Sequence, residues 1–126
     1  MALAKLPAVI RLTMPSPPTM NTIWRRGKGK TYLSDKARNY RGAGRLAYAQ
    51  ATGTLKVAFP DGDVAVTLRW FRPAKRGDLD NIGKAALDSL RGVAYTDDKQ
   101  ITELHFFRYD AKDNPRLEVT LSRPIP

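Results

Sequence analysis

The feature that most constrains the fold is a strict alternation of side chains over Asp63–Phe71. Val64, Val66, Leu68 and Trp70 fall on one side of an extended chain, because successive residues of a strand point to opposite faces. The pattern therefore predicts a β-strand with one face in a hydrophobic core. A sheet with one apolar face must be covered by another layer, so the chain has to supply helices or a second sheet.

Two segments have the three- and four-residue spacing of amphipathic helices, and these can supply that layer. Ser34 is suited to N-cap the first, with Asp35 in its first turn. We expect this helix to run for about four to five turns. Its inward stripe consists of Ala37, Tyr40, Gly44, Ala47, Tyr48 and Ala51. Asp80 or Asn81 caps the second helix, which ends at Gly92, a residue type favoured just beyond helix ends.

Three further segments are typical of strands: Val9–Met14, Ile101–Tyr109 and Arg116–Ser122. The polar turn Asp110–Pro115 joins the last two, an arrangement compatible with a hairpin. The resulting order β, α, β, α, β, β predicts an α+β (mixed α/β) fold, in which a mixed sheet carries two main helices. The length of 126 residues fits one domain over residues 1–126.

Composition excludes several classes of function. The chain has no cysteine, which rules out disulfide scaffolds, thiol nucleophiles and cysteine-ligated zinc or iron–sulfur sites. The single histidine, His105, rules out multi-histidine metal sites. No apolar run approaches the roughly 20 residues that span a bilayer, and Met1–Ile10 is too short and interrupted for a signal peptide. We therefore expect a cytoplasmic protein without a membrane partner.

The charge of the chain is strongly asymmetric. Residues 1–77 hold 15 Lys and Arg against 3 Asp, a net charge of +12, whereas residues 78–126 hold 7 against 9, a net charge of −2. A basic field of this size attracts polyanions, and nucleic acid is the polyanion we expect. The alternatives are a solvated face kept for solubility and a patch for a membrane surface.

Basic residues cluster in a glycine-punctuated loop or hairpin whose short returning strand is Thr31–Leu33, and along the exposed side of the first helix. Such a loop can follow a DNA backbone, and the helix, with Lys36, Arg38, Arg41 and Arg45, offers a second track. We expect DNA contacts from residues of the loop, the first helix and the segment before the second helix: Arg25, Arg26, Lys28, Lys30, Arg41, Lys75 and Arg76.

Half of the acidic residues lie within a short part of this basic chain, in the set Asp78, Asp80, Asp88, Asp97, Asp98 and Glu103. Carboxylates beside phosphates repel them unless a divalent cation lies between the two. Aspartate oxygens are hard ligands suited to Mg²⁺ or Mn²⁺. The cluster therefore predicts metal-assisted hydrolysis of phosphodiester bonds.

Spacing indicates how these acids meet. If Asp78 and Asp80 are extended, their carboxylates point to one side, and Lys84 lies one helical turn beyond them. The segment Val93–Thr96 can return Asp97 and Asp98 to the same end of the helix. The alternative is a surface ion-pair ladder of Asp80, Lys84 and Asp88, worth only a few tenths of a kcal/mol, roughly 0.2–0.5 per pair.

Two stretches resemble the RusA family of Holliday junction resolvases. The first is Pro15-Ser16-Pro17-Pro18-Thr19-Met20-Asn21, followed by Trp24 through Ser34 and by Tyr40-Arg41. The second is Asp78-Leu79-Asp80-Asn81-Ile82-Gly83-Lys84, with Asp88-Ser89-Leu90 and Asp97-Asp98-Lys99-Gln100-Ile101, which is similar to the pattern D-x-D-N-x-x-K…D-x-L…D-D-x-Q-[IV]. Gly83 is an unfavourable residue for the helix there, by up to about 1 kcal/mol relative to alanine.

This resemblance implies a structure-specific endonuclease that resolves four-way junctions in DNA recombination and repair, as a homodimer, with many prophage-borne relatives. It implies Mg²⁺ as cofactor, with Mn²⁺ able to substitute. Asp78, Asp80 and Asp98 would be metal ligands and catalytic, Lys84 would be the catalytic lysine, and Asp97 would be a further metal ligand of less defined role. Two alternatives remain open: a non-catalytic DNA-binding protein of the same fold, and a nuclease for other branched DNA such as flaps or forks.

Overall fold

The computed structural model describes residues 8–17, 24–27, 30–33, 35–73 and 79–125. In chain order the strands and helices are β1 (Val9–Met14), β2 (Trp24–Gly27), β3 (Lys30–Leu33), α1 (Asp35–Thr52), β4 (Val64–Arg72), α2 (Leu79–Leu90), a 3-10 helix (Asp98–Gln100), β5 (Ile101–Asp110) and β6 (Arg116–Ser122). The basic segment forms the antiparallel pair β2–β3, whose returning strand had been predicted one residue shorter.

A mixed sheet of four strands has the order β1-β6-β4-β5. β6 pairs antiparallel with both β1 and β4, whereas β5 pairs parallel with β4. With the two helices, this is the predicted α+β architecture. Within the described ranges, no helix is long and apolar enough to cross a membrane.

The prediction that the last two strands form a hairpin is wrong, because β5 and β6 lie on opposite sides of β4. The burial of the two strands accounts for the difference. β6 buries Leu117, Val119 and Leu121, and a central position gives it a partner on each side. β5 is exposed along most of its length, which suits the edge of the sheet.

One face of the sheet forms the hydrophobic core. The alternation predicted for β4 is confirmed, since Val64, Val66 and Leu68 are fully buried and Trp70 nearly so. α1 covers this face with Tyr40, Ala47 and Tyr48, and α2 covers it with Ile82, Ala86 and Leu90, all at the predicted spacing. Ala51, which was expected on the inward stripe of α1, is instead exposed in the last turn of that helix, and the side chain of Ala37 lies outside the described part of the structure.

The two helices approach closely at Gly44. A Cβ atom at this position would lie 3.0 Å from the Ser89 carbonyl oxygen and 3.1 Å from the Met14 Cε atom. A larger residue would push α1 away from α2. The small residue in the predicted inward stripe therefore sets the distance between the helices.

β4, α2 and β5 form a crossover unit, in which α2 runs back along the sheet between two parallel strands. Midway along α2, Gly83 lies against Phe106 of β5, and a Cβ there would be 2.7 Å from the ring. Beyond its end, the Ala94 carbonyl accepts a hydrogen bond from the Phe59 amide, just before β4 begins. The end of α2 therefore lies beside the first residues of β4 and β5.

α2 begins at Leu79, one residue before the earlier of the predicted caps, so Asp80 lies inside the first turn. A carboxylate is favourable there without capping, because the first turn carries the positive end of the helix dipole. The extended geometry expected through Asp80 is therefore wrong for Leu79 and Asp80. Gly92, with φ +78°, follows the end of the helix as predicted.

Candidate metal and nucleic-acid site

α2 presents one polar face. Lys84 is exposed and Asp88 is partly buried, while the opposite face packs into the core. This confirms the predicted separation of faces in the helix. Asp80 belongs to the first turn by its backbone; its side chain, and the whole of Asp78, lie outside the described residues.

The acidic pair forms a separate, ordered turn. Asp97 caps the 3-10 helix: its Oδ1 accepts a hydrogen bond from the Lys99 amide at 3.2 Å. The Gln100 Oε1 accepts from the Asp97 amide at 2.9 Å, completing a capping box. The Gln100 Nε2 donates to the Phe59 carbonyl at 2.9 Å, which fixes this turn at the start of β4. Sequence reasoning had assigned Asp97 no such structural task.

Asp98 is held by two groups from the end of α2 and the loop that follows it. The Arg91 Nη1 lies 3.7 Å from Asp98 Oδ2. The Tyr95 hydroxyl lies 3.3 Å from Asp98 Oδ1 and 2.6 Å from the Leu87 carbonyl, to which it donates. Burial raises the pKa of Tyr95, and the negative charge of Asp98 raises it further. Tyr95 therefore keeps its one proton, which it shares between the Leu87 carbonyl and, over the longer distance, Asp98 Oδ1.

Asp80 and Asp98 lie at opposite ends of α2. At about 1.5 Å per residue, Asp80 and Arg91 are separated by about 16 Å along the helix axis. Asp98 neighbours Arg91 and precedes the first residue of β5, whereas Asp80 follows the far end of β4. The expectation that Val93–Thr96 returns the acidic pair to the first turn of α2 is therefore wrong. That segment turns back only as far as Leu87, whose carbonyl accepts the hydrogen bond from the Tyr95 hydroxyl.

No three His, Asp or Glu side chains within the described part of the chain lie close enough together to hold a metal ion. The Asp98 carboxylate is partly exposed and lies beside the Arg91 guanidinium and the Tyr95 hydroxyl.

The structure places only part of the expected DNA-binding set. Arg41 is exposed on α1. The backbones of Arg25, Arg26 and Lys30 belong to β2 and β3, but their side chains are not described. Lys28, Lys75 and Arg76 lie outside the described residues.

Arg91 and Tyr95 were not among the residues singled out from the sequence. Arg91 follows directly on the helix, and Tyr95 precedes Asp98 by three positions, a spacing with no meaning outside a helix. The only available signal was that an arginine and a tyrosine lie close in sequence to the acidic pair.

The chain is similar to known proteins over most of its length. Residues 15–122 match the profile of the family described as Endodeoxyribonuclease RusA. Proteins named Crossover junction endodeoxyribonuclease RusA from Shigella sonnei and from Escherichia coli K12 are each 29% identical to it over 113 residues, covering 88% of this chain and 92% of theirs. A protein of that name from Enterobacteria phage 82 is 27% identical over the same share.

Proposed function

This chain belongs to the RusA family of endodeoxyribonucleases, and we propose that it resolves four-way DNA junctions by metal-assisted hydrolysis of phosphodiester bonds. The observation that carries the proposal is the family match across residues 15–122, a range that includes both acidic groups and Lys84. Relatives named for crossover junctions favour a role in DNA recombination and repair in the bacterial cytoplasm. One of these relatives is from a phage, which fits a chain encoded by a prophage.

The residues fit a hard divalent cation, Mg²⁺ or Mn²⁺, held by Asp78, Asp80 and Asp98. When bound, such an ion activates water and neutralises phosphate charge. The exposed Lys84 supplies positive charge on the polar face of α2, where it can stabilise charge developing on the phosphate. Asp97 is the weaker candidate ligand, because one of its oxygens already caps the 3-10 helix.

We further propose that the metal site is shared between two copies of the chain. The separation of about 16 Å along α2 is too long for Asp80 and Asp98 of one chain to bind the same ion, because ligand oxygens lie about 2.0–2.6 Å from such cations. In a homodimer, Asp98 of a second copy can complete the site that begins at Asp80. Two such sites related by a two-fold axis suit a substrate with two equivalent strands.

The outer edge of β5 supports a dimer. Among the described residues no strand pairs with this edge, and Leu104, Phe107 and Tyr109 of β5 are exposed. A long apolar edge strand in water is a site at which a second chain pairs. β5 begins directly after the turn that carries Asp98, so pairing there brings a second copy close to the acidic pair.

A mixture of variants tests the shared site. Asp80→Asn and Asp98→Asn should each abolish cleavage of a synthetic mobile junction in Mg²⁺, while junction binding is kept or tightened because a negative charge near phosphate is lost. A purified mixed dimer with one variant in each subunit should regain cleavage. One of its two sites then has both carboxylates, so the product should be a junction nicked in one strand.

The controls separate the remaining alternatives. If sites lie within single chains, every site in the mixed dimer lacks one carboxylate and no activity returns. Wild-type protein that binds the junction and never cuts it would favour the non-catalytic DNA-binding protein. Faster cutting of flaps or forks than of junctions, with a linear duplex as baseline, would favour the nuclease for other branched DNA.

A further inference from the structure

A basic groove lies between α1 and α2, away from the first turn of α2. It lies beside the close approach of the helices at Gly44, and one of its lining residues, Ser89, is buried with its hydroxyl donating to the Ala86 carbonyl at 2.6 Å. The groove has a volume of about 280 Å³. Its lining residues are Arg41, Gly42, Arg45, Asp88, Ser89, Arg91 and Val93.

The groove is built to hold an anion. Arg41 and Arg45 lie one turn apart on α1, so both side chains project on the same side of the helix. Neither has an ion pair or a side-chain hydrogen bond with the residues that the structure describes. Arg91 lies opposite them at the end of α2, and Asp88 together with the neighbouring Asp98 offsets two of the three positive charges, so the groove keeps a net positive charge. Forked guanidinium groups are the donors best matched to phosphate oxygens.

The groove is continuous with the acidic pair. Arg91 lines it and also places its Nη1 3.7 Å from Asp98 Oδ2. An anion in the groove therefore lies one arginine side chain from a candidate metal ligand. A DNA strand that reaches Asp98 has phosphates on both sides of the one being cut, and one of these can enter the groove.

We propose that this groove binds a backbone phosphate of the junction, next to the phosphate that is cut, through Arg41, Arg45 and Arg91. The proposal rests on the proposed function, since it assigns a contact with the same substrate. It adds Arg91 to the DNA-binding residues expected from the sequence, and it assigns Arg41 and Arg45 of the second track to one phosphate. It also gives Arg91 two roles, because the same guanidinium orients Asp98 and neutralises phosphate.

The salt dependence of junction binding measures whether the groove contacts a phosphate. Junction affinity of the double variant Arg41→Ala/Arg45→Ala should fall, and the slope of log affinity against log salt should flatten by about 0.9 for the loss of one phosphate contact. A control is Arg11→Ala, which removes one exposed arginine from β1, outside the groove. Its slope should stay closer to that of the wild type.

Removing the negative charge of Asp88 should change junction affinity in the opposite direction. Asp88→Asn removes the one acidic side chain that lines the groove among the described residues, so junction binding should tighten. A purely structural role for the groove gives no such pair of opposite effects. Thermal unfolding of each variant checks that the folded state is retained.

Three results would overturn the proposal. In the first, the double variant has the same salt slope as Arg11→Ala while the wild type still cuts junctions. The groove then does not bind a junction phosphate, and the proposed function stands. In the second, inorganic phosphate raises the melting temperature of the wild type and not of the double variant, with the salt slope unchanged; the groove is then a site for a free anion. In the third, the wild type binds no junction, and both proposals fail.

Discussion

At the scale of single residues, Tyr95 is the group whose removal is most informative. With Asp98 as the proposed metal ligand, Tyr95→Phe should weaken the apparent affinity for Mg²⁺ in cleavage by about 10-fold or more, since groups that orient a metal ligand have effects of this size. The free energy of unfolding should fall by only about 1 kcal/mol. The Leu87 carbonyl keeps a partner in the variant, because the Arg91 amide also donates to it. Cleavage rates over a series of Mg²⁺ concentrations, beside denaturant unfolding, measure both effects.

Tyr48→Phe is the matched control for that experiment. Tyr48 is equally buried, and its hydroxyl donates to the Lys56 carbonyl, beyond the end of α1. Its loss should cost a similar amount of stability and leave the Mg²⁺ dependence unchanged. Equal shifts in Mg²⁺ dependence for the two variants would mean that Tyr95 acts only through the stability of the fold.

At the scale of secondary-structure elements, the packing of α2 on β5 opposes the intrinsic preference of the helix. Alanine at position 83 favours a helix by about 1 kcal/mol over glycine. Gly83→Ala should nevertheless destabilise the protein, by about 1–3 kcal/mol, because the new methyl group would lie 2.7 Å from the Phe106 ring. Phe106→Leu in the same chain should recover part of the loss. Chemical denaturation measures all three stabilities.

Gly42 in α1 provides the comparison. A Cβ atom there meets nothing within 4 Å, so Gly42→Ala should raise the free energy of unfolding by about 0.5–1 kcal/mol. A stabilising Gly83→Ala would show that α2 can shift on β5. The unfavourable glycine noted in the sequence therefore has a packing reason in the fold.

At the scale of the whole molecule, three buried tyrosines set the alkaline limit of stability. Burial raises the pKa of Tyr40, Tyr48 and Tyr95 above the ordinary value of 10.0. In the unfolded chain these phenols lose their protons near 10, whereas in the fold they keep them. The folded state therefore binds more protons above pH 10, and stability falls as pH rises.

We expect the contribution of these tyrosines to be constant below about pH 9 and to be lost progressively above pH 10. Denaturant unfolding between neutral and alkaline pH, with tyrosinate absorbance of the folded protein, measures this decline. Tyr40→Phe should make it shallower, since one of the three groups is removed. Full tyrosinate absorbance near pH 10 while the protein remains folded would contradict the assignment.

Local patterns predicted much of this fold, and long-range arrangement was harder to predict. The alternation of β4 and the inward stripes of both helices follow from side-chain periodicity, which each segment carries by itself. The position of β6 between β1 and β4 results from competition among strands for partners, and no single segment encodes that competition. For the site, the assignment of the acidic residues as metal ligands stays a prediction, and the direction of α2 between parallel strands separates Asp80 from Asp98.

The position of β6 also affects how the chain can fold during synthesis. β6 follows the other described strands in the chain, yet it lies between β1 and β4, which are made earlier. Until Arg116–Ser122 leaves the ribosome, β1 has no partner in the four-stranded sheet and β4 has one open edge. Closing the sheet then joins segments from the two ends of the sequence, and contacts of such long range make folding slow. The nascent protein is therefore most exposed to aggregation and proteolysis until β6 has been made.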